Sequence, residues 1–390
     1  MVRGQRETIS KLKEQSSSMR SPIWFHAASV GEFEQARPVI ERLRREHPEL
    51  QIVVTFFSPS GYEARKSYPH ADGIYYLPFA TTRNAKRFLE ALQPKMAIFV
   101  KYEFWPAYLR ELKKRNIPTY SICSIFRPKQ LFFLPWGKLH LRLLKCFTHL
   151  YVQDQASPVL LAKHGVANVS VAGDTRFDRM MELRAENTQD LTMVSHFAQG
   201  AQRVIVAGST WPKDETLLAQ FMQTDPSSKL ILVPHEIDPK HMHFIFRLFQ
   251  GRMVRYSAVS AMTDEVSRRN ILQQATILLV DTMGLLSSIY RFGHVAYIGG
   301  GFGVGIHNTI EAAAYGMPVV FGPNYSHFRE AQGLIDANAA RSIKNYSELE
   351  AALTTALEQH ELLGAKAAEY VQSELGATEK IYNDIFNRQS

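Results

Sequence analysis

At 390 residues the chain is longer than one ordinary hydrophobic core fills, so two domains are expected. Its 45% hydrophobic and 21% charged content is that of a globular protein and excludes a disordered one. No run of about 18 apolar residues reads as a bilayer span, no signal peptide opens the chain, and the formal charge is +8. The two cysteines, Cys123 and Cys146, lie in apolar surroundings without metal-ligand spacing and read as reduced core thiols. Of the 14 histidines only His241 and His243 are closely spaced, which a surface helix explains better than a metal.

The opening, Met1-Val-Arg-Gly-Gln-Arg-Glu-Thr, runs straight into a basic helix, as if an upstream segment had been removed. From there a first domain, 1–176, alternates short apolar strands with helical stretches. Strands are expected at Ile23–Ala28, Ile52–Phe57, Gly73–Leu77, Met96–Val100, Thr119–Ser124, His149–Gln153 and Val169–Ala172. Helices fill Glu32–His47, Ser60–Tyr68, Arg83–Leu92, Trp105–Arg115, Pro135–Phe147 and Pro158–His164. Residues 177–200 are polar, helical and strandless, which reads as an interdomain segment. A second domain, 201–390, repeats the alternation with strands at Arg203–Gly208, Leu230–Val233, Met253–Tyr256, Ile277–Val280, Val295–Gly299, Val319–Phe321 and near Ala340–Ile343, before terminal helices. Such alternation predicts α/β architecture: two Rossmann-like, doubly wound parallel-sheet domains facing across a cleft. Ligands in such sheets gather at the carboxyl ends of strands.

Charge is uneven along this order. Between Leu112 and Gln153 there is no Asp or Glu, against eight Lys and Arg. Within it, Lys138, Arg142 and Lys145 recur at helical spacing among leucines and aromatics. That pattern fits a helix lying on an anionic membrane surface, and equally a core helix with a solvated basic side. No nucleic-acid-binding motif accompanies the charge, so nucleic acid is not expected as a partner.

Several strand ends carry groups suited to chemistry. His26-Ala-Ala-Ser-Val-Gly-Glu32 places Glu32 in the first turn of a helix, fit to take a proton from a hydroxyl but with a low pKa unless desolvated. Glu103 follows a strand on the same rim, and Arg176 offers a permanent cation there. In the second domain Ser209 and Thr210, Pro234 and His235, and Asp281 to Gly284 also follow strands.

The segment Tyr297-Ile-Gly-Gly-Gly-Phe-Gly-Val-Gly-Ile-His-Asn-Thr-Ile-Glu311 reads as strand, glycine-rich turn and a helix beginning near His307. A turn of this kind offers bare backbone N–H groups to a phosphate, and Glu311, three positions after Asn308, can accept hydrogen bonds from ribose hydroxyls. No frame gives the G-x-G-x-x-G spacing of a dinucleotide fold, so no such cofactor is expected. The chain has no Asp-x-Asp, and no metal is expected in the chemical step.

His26-Ala-Ala-Ser-Val-Gly-Glu32, Gly305-x-His-Asn-Thr-Ile-Glu311 and Gly316-x-Pro-Val-Val-Phe-Gly-Pro323 resemble the 3-deoxy-D-manno-octulosonic acid (Kdo) transferases of lipid A and lipopolysaccharide assembly, over about Pro22 to Ile381. The resemblance implies a GT-B fold and inverting transfer of Kdo from CMP-Kdo to the 6′-hydroxyl of lipid IVA. It further implies Glu32 as general base, with Glu103 and Arg176 stabilising the transition state. CMP-Kdo contacts then map to Ser209, Thr210, Pro234, His235, Met283, Gly284, Leu285, Asn308, Thr309, Ile310 and Glu311. Departures occur: Arg176 stands where many members carry Lys, His235 where many carry Arg, and Leu285 where many carry Glu. Lys101 replaces a common acid. Members usually begin with a membrane anchor just before a basic segment like Arg3–Arg6, so this chain is expected at the cytoplasmic face of the inner membrane of a Gram-negative cell. Lys138, Arg142 and Lys145 would then meet the membrane or the acceptor's phosphates. The competing readings are a GT-B transferase or epimerase using a UDP-sugar, and a non-catalytic membrane-surface protein.

Overall fold

The structure, a computed structural model, describes residues 2–15, 20–186, 189–249, 253–303 and 305–387, the side chains of Val2, Arg3, Arg6 and Gln15 excepted. The basic side chains Arg3 and Arg6, part of the 177–200 segment, and Val304 of the glycine-rich turn therefore lie outside the described residues.

Two compact units divide the chain. The first comprises Met1–Arg179 and Glu374–Ser390, the second Met180–Ser373. In the first unit, strands β1 (Ile23–Ala27), β2 (Ile52–Phe56), β3 (Gly73–Tyr76), β4 (Met96–Val100), β5 (Thr119–Ser124), β6 (His149–Val152) and β7 (Val169–Val171) form one sheet. Its order is β3-β2-β1-β4-β5-β6-β7, parallel throughout. The central strands are unbroken apolar runs because helices cover both faces. Successive side chains of β1 point to opposite cores: Trp24 joins Phe88, Phe99 and Tyr108, and Phe25 joins Phe33, Phe56 and Ile98.

The second unit repeats the plan with β8 (Val204–Thr210), β9 (Lys229–Pro234), β10 (Met253–Arg255), β11 (Ile277–Leu279), β12 (Val295–Ile298), β13 (Val319–Phe321) and β14 (Ala340–Ser342). The order is β10-β11-β9-β8-β12-β13-β14, again parallel. Strand order reverses between β1 and β4 in one sheet and between β8 and β12 in the other. A doubly wound sheet leaves its crevice at such a reversal.

Two expectations need correction. The second domain does not run to the end of the chain: Ile381, Tyr382 and Ile385 are buried in the same core cluster as Val39 and Leu43 of the helix Val30–Glu46. The Asp178 carboxylate also accepts the Gly376 and Thr378 amides, at 2.7 Å each. The helix expected over Pro135–Phe147 is only Lys138–Leu144, preceded by a 3-10 turn at Leu131–Phe133. The chain folds back on itself between them, where a Cβ on Gly137 would lie 1.8 Å from the Leu131 carbonyl oxygen.

Candidate active site

The reversal point of the first sheet gathers Glu32, Glu103 and Lys101. Ser29 caps the helix Val30–Glu46 in an S-x-x-E capping box, which puts Glu32 at its third helical position. Glu32 Oε2 accepts the amides of Ala28 at 2.7 Å and Ser29 at 3.1 Å. Those bonds and Lys101 favour the carboxylate. Burial, reinforced by the charge of Glu103, outweighs them and raises the Glu32 pKa above its ordinary 4.5. The expectation of a low pKa until substrate binds is thereby corrected: the folded chain already desolvates this group.

Glu103 lies just past β4 and is held from two sides. Trp105 Nε1 donates to Glu103 Oε2 at 2.5 Å, and His26 Nε2 lies 3.1 Å from the same oxygen. His26 is fully buried, with Nδ1 2.9 Å from Thr55 Oγ1 and 3.1 Å from the Thr55 carbonyl. Neither Trp105 nor His26 was singled out from the sequence as a functional residue, although His26 opens the motif that ends in Glu32. Lys101 adopts a left-handed backbone, φ 55°, at the strand end, a strained conformation of the kind found at functional sites.

Arg176 is engaged within its own unit. Its guanidinium bonds Asp174 Oδ2 through Nε at 2.9 Å and Nη2 at 2.7 Å. Burial alone would push the Asp174 pKa up. The Arg176 charge and hydrogen bonds, with that of Gln35, overcome it and hold the pKa below the usual value. Arg176 therefore compensates a buried carboxylate whatever else it does.

In the second unit the glycine-rich turn is less open than its composition implies. A Cβ on Gly299 would sit 2.2 Å from the Ser209 carbonyl oxygen, and one on Gly301 2.6 Å from Gly322 Cα. These glycines let three strand ends pack backbone to backbone. The Gly300 amide donates to Asp214 at 2.9 Å, and the amides of Gly303, Ile306, His307 and Ile310 also have acceptors within the protein. The expectation of a turn with bare N–H groups is corrected for those five amides. So is the helix start: it begins at Ile310, not near His307, and spans only Ile310–Ala313.

Asp214 is the hub beneath this turn. Besides Gly300 it accepts Tyr297 Oη at 2.8 Å and the Trp211 amide at 3.0 Å. Thr210, expected as a ligand group, is buried and donates instead to Glu215 Oε1 at 2.9 Å, while His241 Nε2 lies 2.8 Å from Glu215 Oε2. Thr309 and Ile310 are likewise buried, and the Thr309 hydroxyl has no partner among the described residues. Leu285 is packed into the unit and Pro234 closes β9 under cover, whereas Met283 is 71% exposed beside Gly284, whose φ is 85°. Ser209 takes a left-handed φ of 53° next to a shift in register between β8 and β9.

Three rings from separate segments meet at this edge. His235 stacks on Trp211 at 4.9 Å and on His307 at 4.4 Å, and Trp211 Nε1 donates to His307 Nε2 at 3.3 Å. Burial, with the nearby His235, depresses the His307 pKa to about 4, so its imidazole is neutral near pH 7. Around the turn, Asn308 Nδ2 donates to Glu311 Oε1 at 3.0 Å, and Glu311, Ser287, Ser288, Arg184 and Tyr315 line a cavity of about 300 Å³. The Arg184 guanidinium lies 5.6 Å from the Tyr315 ring centroid.

The basic side chains Lys138, Arg142 and Lys145 are exposed on the short helix, as expected. Exposed with them are Trp136 at 72% and Leu139 at 57%, while Leu143, Leu144 and Phe147 are buried in the core. Among the described residues no helix is long and apolar enough to cross a membrane, and no three His, Cys, Asp or Glu side chains are grouped to hold a metal ion.

Comparison with known proteins gives this geometry a family. A model for 3-deoxy-D-manno-octulosonic-acid transferases (kdotransferases) matches residues 3–179, which include Glu32, Glu103 and Arg176. A 3-deoxy-D-manno-octulosonic acid transferase of Haemophilus influenzae is 27% identical, covering 92% of this chain and 85% of that protein. One from Aquifex aeolicus is 28% identical, covering 88% of each. Among solved structures, UDP-GlcNAc 2-epimerase from Neisseria meningitidis aligns with TM-score 0.66 at 15% identity, over 94% of this chain and all of that one. A putative UDP-N-acetylglucosamine 2-epimerase from Listeria monocytogenes gives 0.64 at 14%, covering 95% and 97%. At such identities the likeness concerns the fold, the GT-B arrangement of two Rossmann-like sheets. The relatives cover most of the chain under a single name, and the family model takes in the residues around Glu32; residues 3–179 belong to the 3-deoxy-D-manno-octulosonic-acid transferase family, a family of glycosyltransferases, and the chain as a whole is similar to its members.

Proposed function

We propose that the protein moves Kdo from CMP-Kdo to the 6′-hydroxyl of the lipid A precursor lipid IVA, with inversion, and that Glu32 is the general base. The observation that carries the reading is the environment of Glu32: a desolvated carboxylate at a sheet reversal point, oriented by two amides on one oxygen. Oε1 is then the oxygen that accepts the proton. The acceptor hydroxyl gives its proton to Glu32 as its oxygen forms a bond to the anomeric carbon. The bond from that carbon to the phosphate oxygen breaks, and CMP leaves with the electron pair. Raising the pKa of a carboxylate makes it a stronger base.

The donor is assigned to the second unit, in which Glu311 and the two serines of the 300 Å³ cavity supply acceptors and donors for a ribose. Since Thr210, Thr309 and Ile310 are buried, their side chains contribute by shaping the turn, and contacts fall to Asn308, Glu311, His235 and the exposed Met283. The acceptor's phosphates and the anionic inner-membrane surface, at its cytoplasmic face, are assigned to Lys138, Arg142 and Lys145 with Trp136 and Leu139 entering the lipid.

Mass spectrometry of lipid IVA after incubation with the protein and a CMP-Kdo generating system tests this directly. The expected product carries added Kdo, and Glu32→Ala is expected to lose at least about 10²-fold in rate, the low end for a missing general base. Unmodified lipid IVA, together with thermal protection by UDP and not CMP, would favour a UDP-sugar enzyme of the same fold instead.

A further inference from the structure

Lys101 stands one residue past β4. The register of β1 on β4 ends with His26 opposite Phe99. Two residues further along each chain come Ala28, whose amide holds Glu32, and Lys101. The pairing of the two central strands thus sets the lysine beside the base. Its backbone is pinned there: the Lys101 amide donates to the Ile122 carbonyl at 2.9 Å, and the Lys101 carbonyl accepts the Ser124 hydroxyl at 2.6 Å. Ser124 is fully buried, with its hydroxyl oxygen 2.6 Å from that of Ser121. Between those serines Cys123 takes a left-handed φ of 57°, close to the 55° of Lys101. Such a conformation strains any residue but glycine and persists where its neighbours fix it, as the buried end of β5 does here.

The charged end of this half-buried side chain is left over. Among the described residues the Lys101 ammonium has neither a hydrogen bond nor an ion pair. Its neighbours are engaged: Glu32 by two amides, Glu103 by Trp105 and His26, Arg176 by Asp174. The Lys101 charge is nonetheless felt at Glu32. In the reaction proposed above, an oxyanion comes to this place. The attacking oxygen lies about 3 Å from the carboxylate that takes its proton, and the anomeric carbon about 3 to 3.5 Å beyond. Kdo carries its carboxylate on that carbon, and the acceptor sugar carries phosphate. Either group approaches Glu32 and Glu103 as a like charge, and a cation beside them offsets the repulsion.

We propose that the Lys101 ammonium binds substrate, taking the oxyanion next to the reacting centre: the carboxylate of the donor or a phosphate of the acceptor. The assignment rests on the reading of Glu32 as base. Transfer kinetics of Lys101→Met and Lys101→Arg in the full chain test it. Methionine keeps the stem and removes the charge, so kcat/KM should fall by about 30-fold or more, the low end for an anion left without its cation. Arginine should recover most of the rate. The loss in Lys101→Met should persist on the alkaline plateau. A lysine that merely tuned Glu32 would, on removal, move the acid limb to higher pH and leave the plateau rate intact, and that result overturns the proposal.

Two altered substrates decide which oxyanion it is: a donor with carboxamide in place of carboxylate, and dephosphorylated lipid IVA. Each is compared in the unmodified protein and in Lys101→Met. The change whose penalty disappears in the variant removes the group that the ammonium holds. Penalties undiminished for both substrates overturn the assignment. Full activity of Lys101→Met beside an active unmodified protein overturns it alone, whereas no transfer by the unmodified protein overturns it together with the proposed function.

Discussion

At the scale of single residues, the site is organised by burial more than by proximity of opposite charges. Glu32 is the clearest case, because burial heads the effects that raise its pKa and the two amides only moderate it. In the proposed role of base Glu32 must be ionised, so transfer should fall as pH is lowered, and the fall should begin above the ordinary glutamate value of 4.5. A kcat/KM profile flat down to that value would contradict the environment described. Asp174 is the opposite case. Its folded pKa is lowered, so its stabilising share is present above its unfolded value and lost as pH falls through the folded one. Arg176→Ala would leave burial as the dominant effect and raise that pKa past the unfolded value, so the variant should lose stability as pH rises. We expect a loss of roughly 3 kcal/mol at neutral pH, the low end for a broken buried pair because the guanidinium is part-exposed. The gap in Tm between the two proteins should narrow from pH 8 to pH 4. A reduced transfer rate in that variant would not by itself make Arg176 a catalytic residue.

At the scale of elements, the basic helix Lys138–Leu144 and the glycine-rich turn show what patterning could and could not convey. The helix was legible as cationic because three side chains share a spacing, yet its start was misplaced, since the backbone contact at Gly137 arises only when the chain folds back on Leu131. Replacing Lys138, Arg142 and Lys145 together by Ala should weaken cosedimentation with anionic vesicles by about 10²-fold at low salt, at about 1 kcal/mol per side chain, with less effect at high salt. The core face, Leu143, Leu144 and Phe147, is untouched by that change, so Tm should hold. The turn was misjudged for a different reason. A glycine run looks alike whether it leaves room for a ligand or for another backbone, and here Ser209 and Gly322 fill much of the room. Asp214, which fastens the turn, looks in the sequence like any first-turn helix acid. Asp214→Ala strands Tyr297 Oη and the Gly300 and Trp211 amides, and should cost about 2 to 4 kcal/mol, measured by urea unfolding.

At the scale of the molecule, the fourteen strands among the described residues stand where period and composition put them, because a parallel sheet covered on both sides leaves short apolar runs. Glu32 and Glu103 were legible as strand-end acids; His26 was not, since a buried histidine in a strand reads as core until the carboxylate from a distant segment meets it. The destination of the last residues was equally hidden. Helices continuing a domain and helices returning to an earlier one have the same amphipathic pattern, and only the partners of Ile381, Tyr382 and Ile385 tell them apart. Ending the chain at Ser373 should therefore uncover part of the first unit's core, giving lower Tm and faster proteolysis of that unit while the second is little changed.

That return of the C-terminal segment has a consequence for how the protein is made. Synthesis proceeds from the N-terminus, and the helix that completes the first unit is encoded behind the whole of the second. On the ribosome the earlier unit therefore waits, with the groove along Val39 and Leu43 uncovered, until Ile381, Tyr382 and Ile385 emerge to close it.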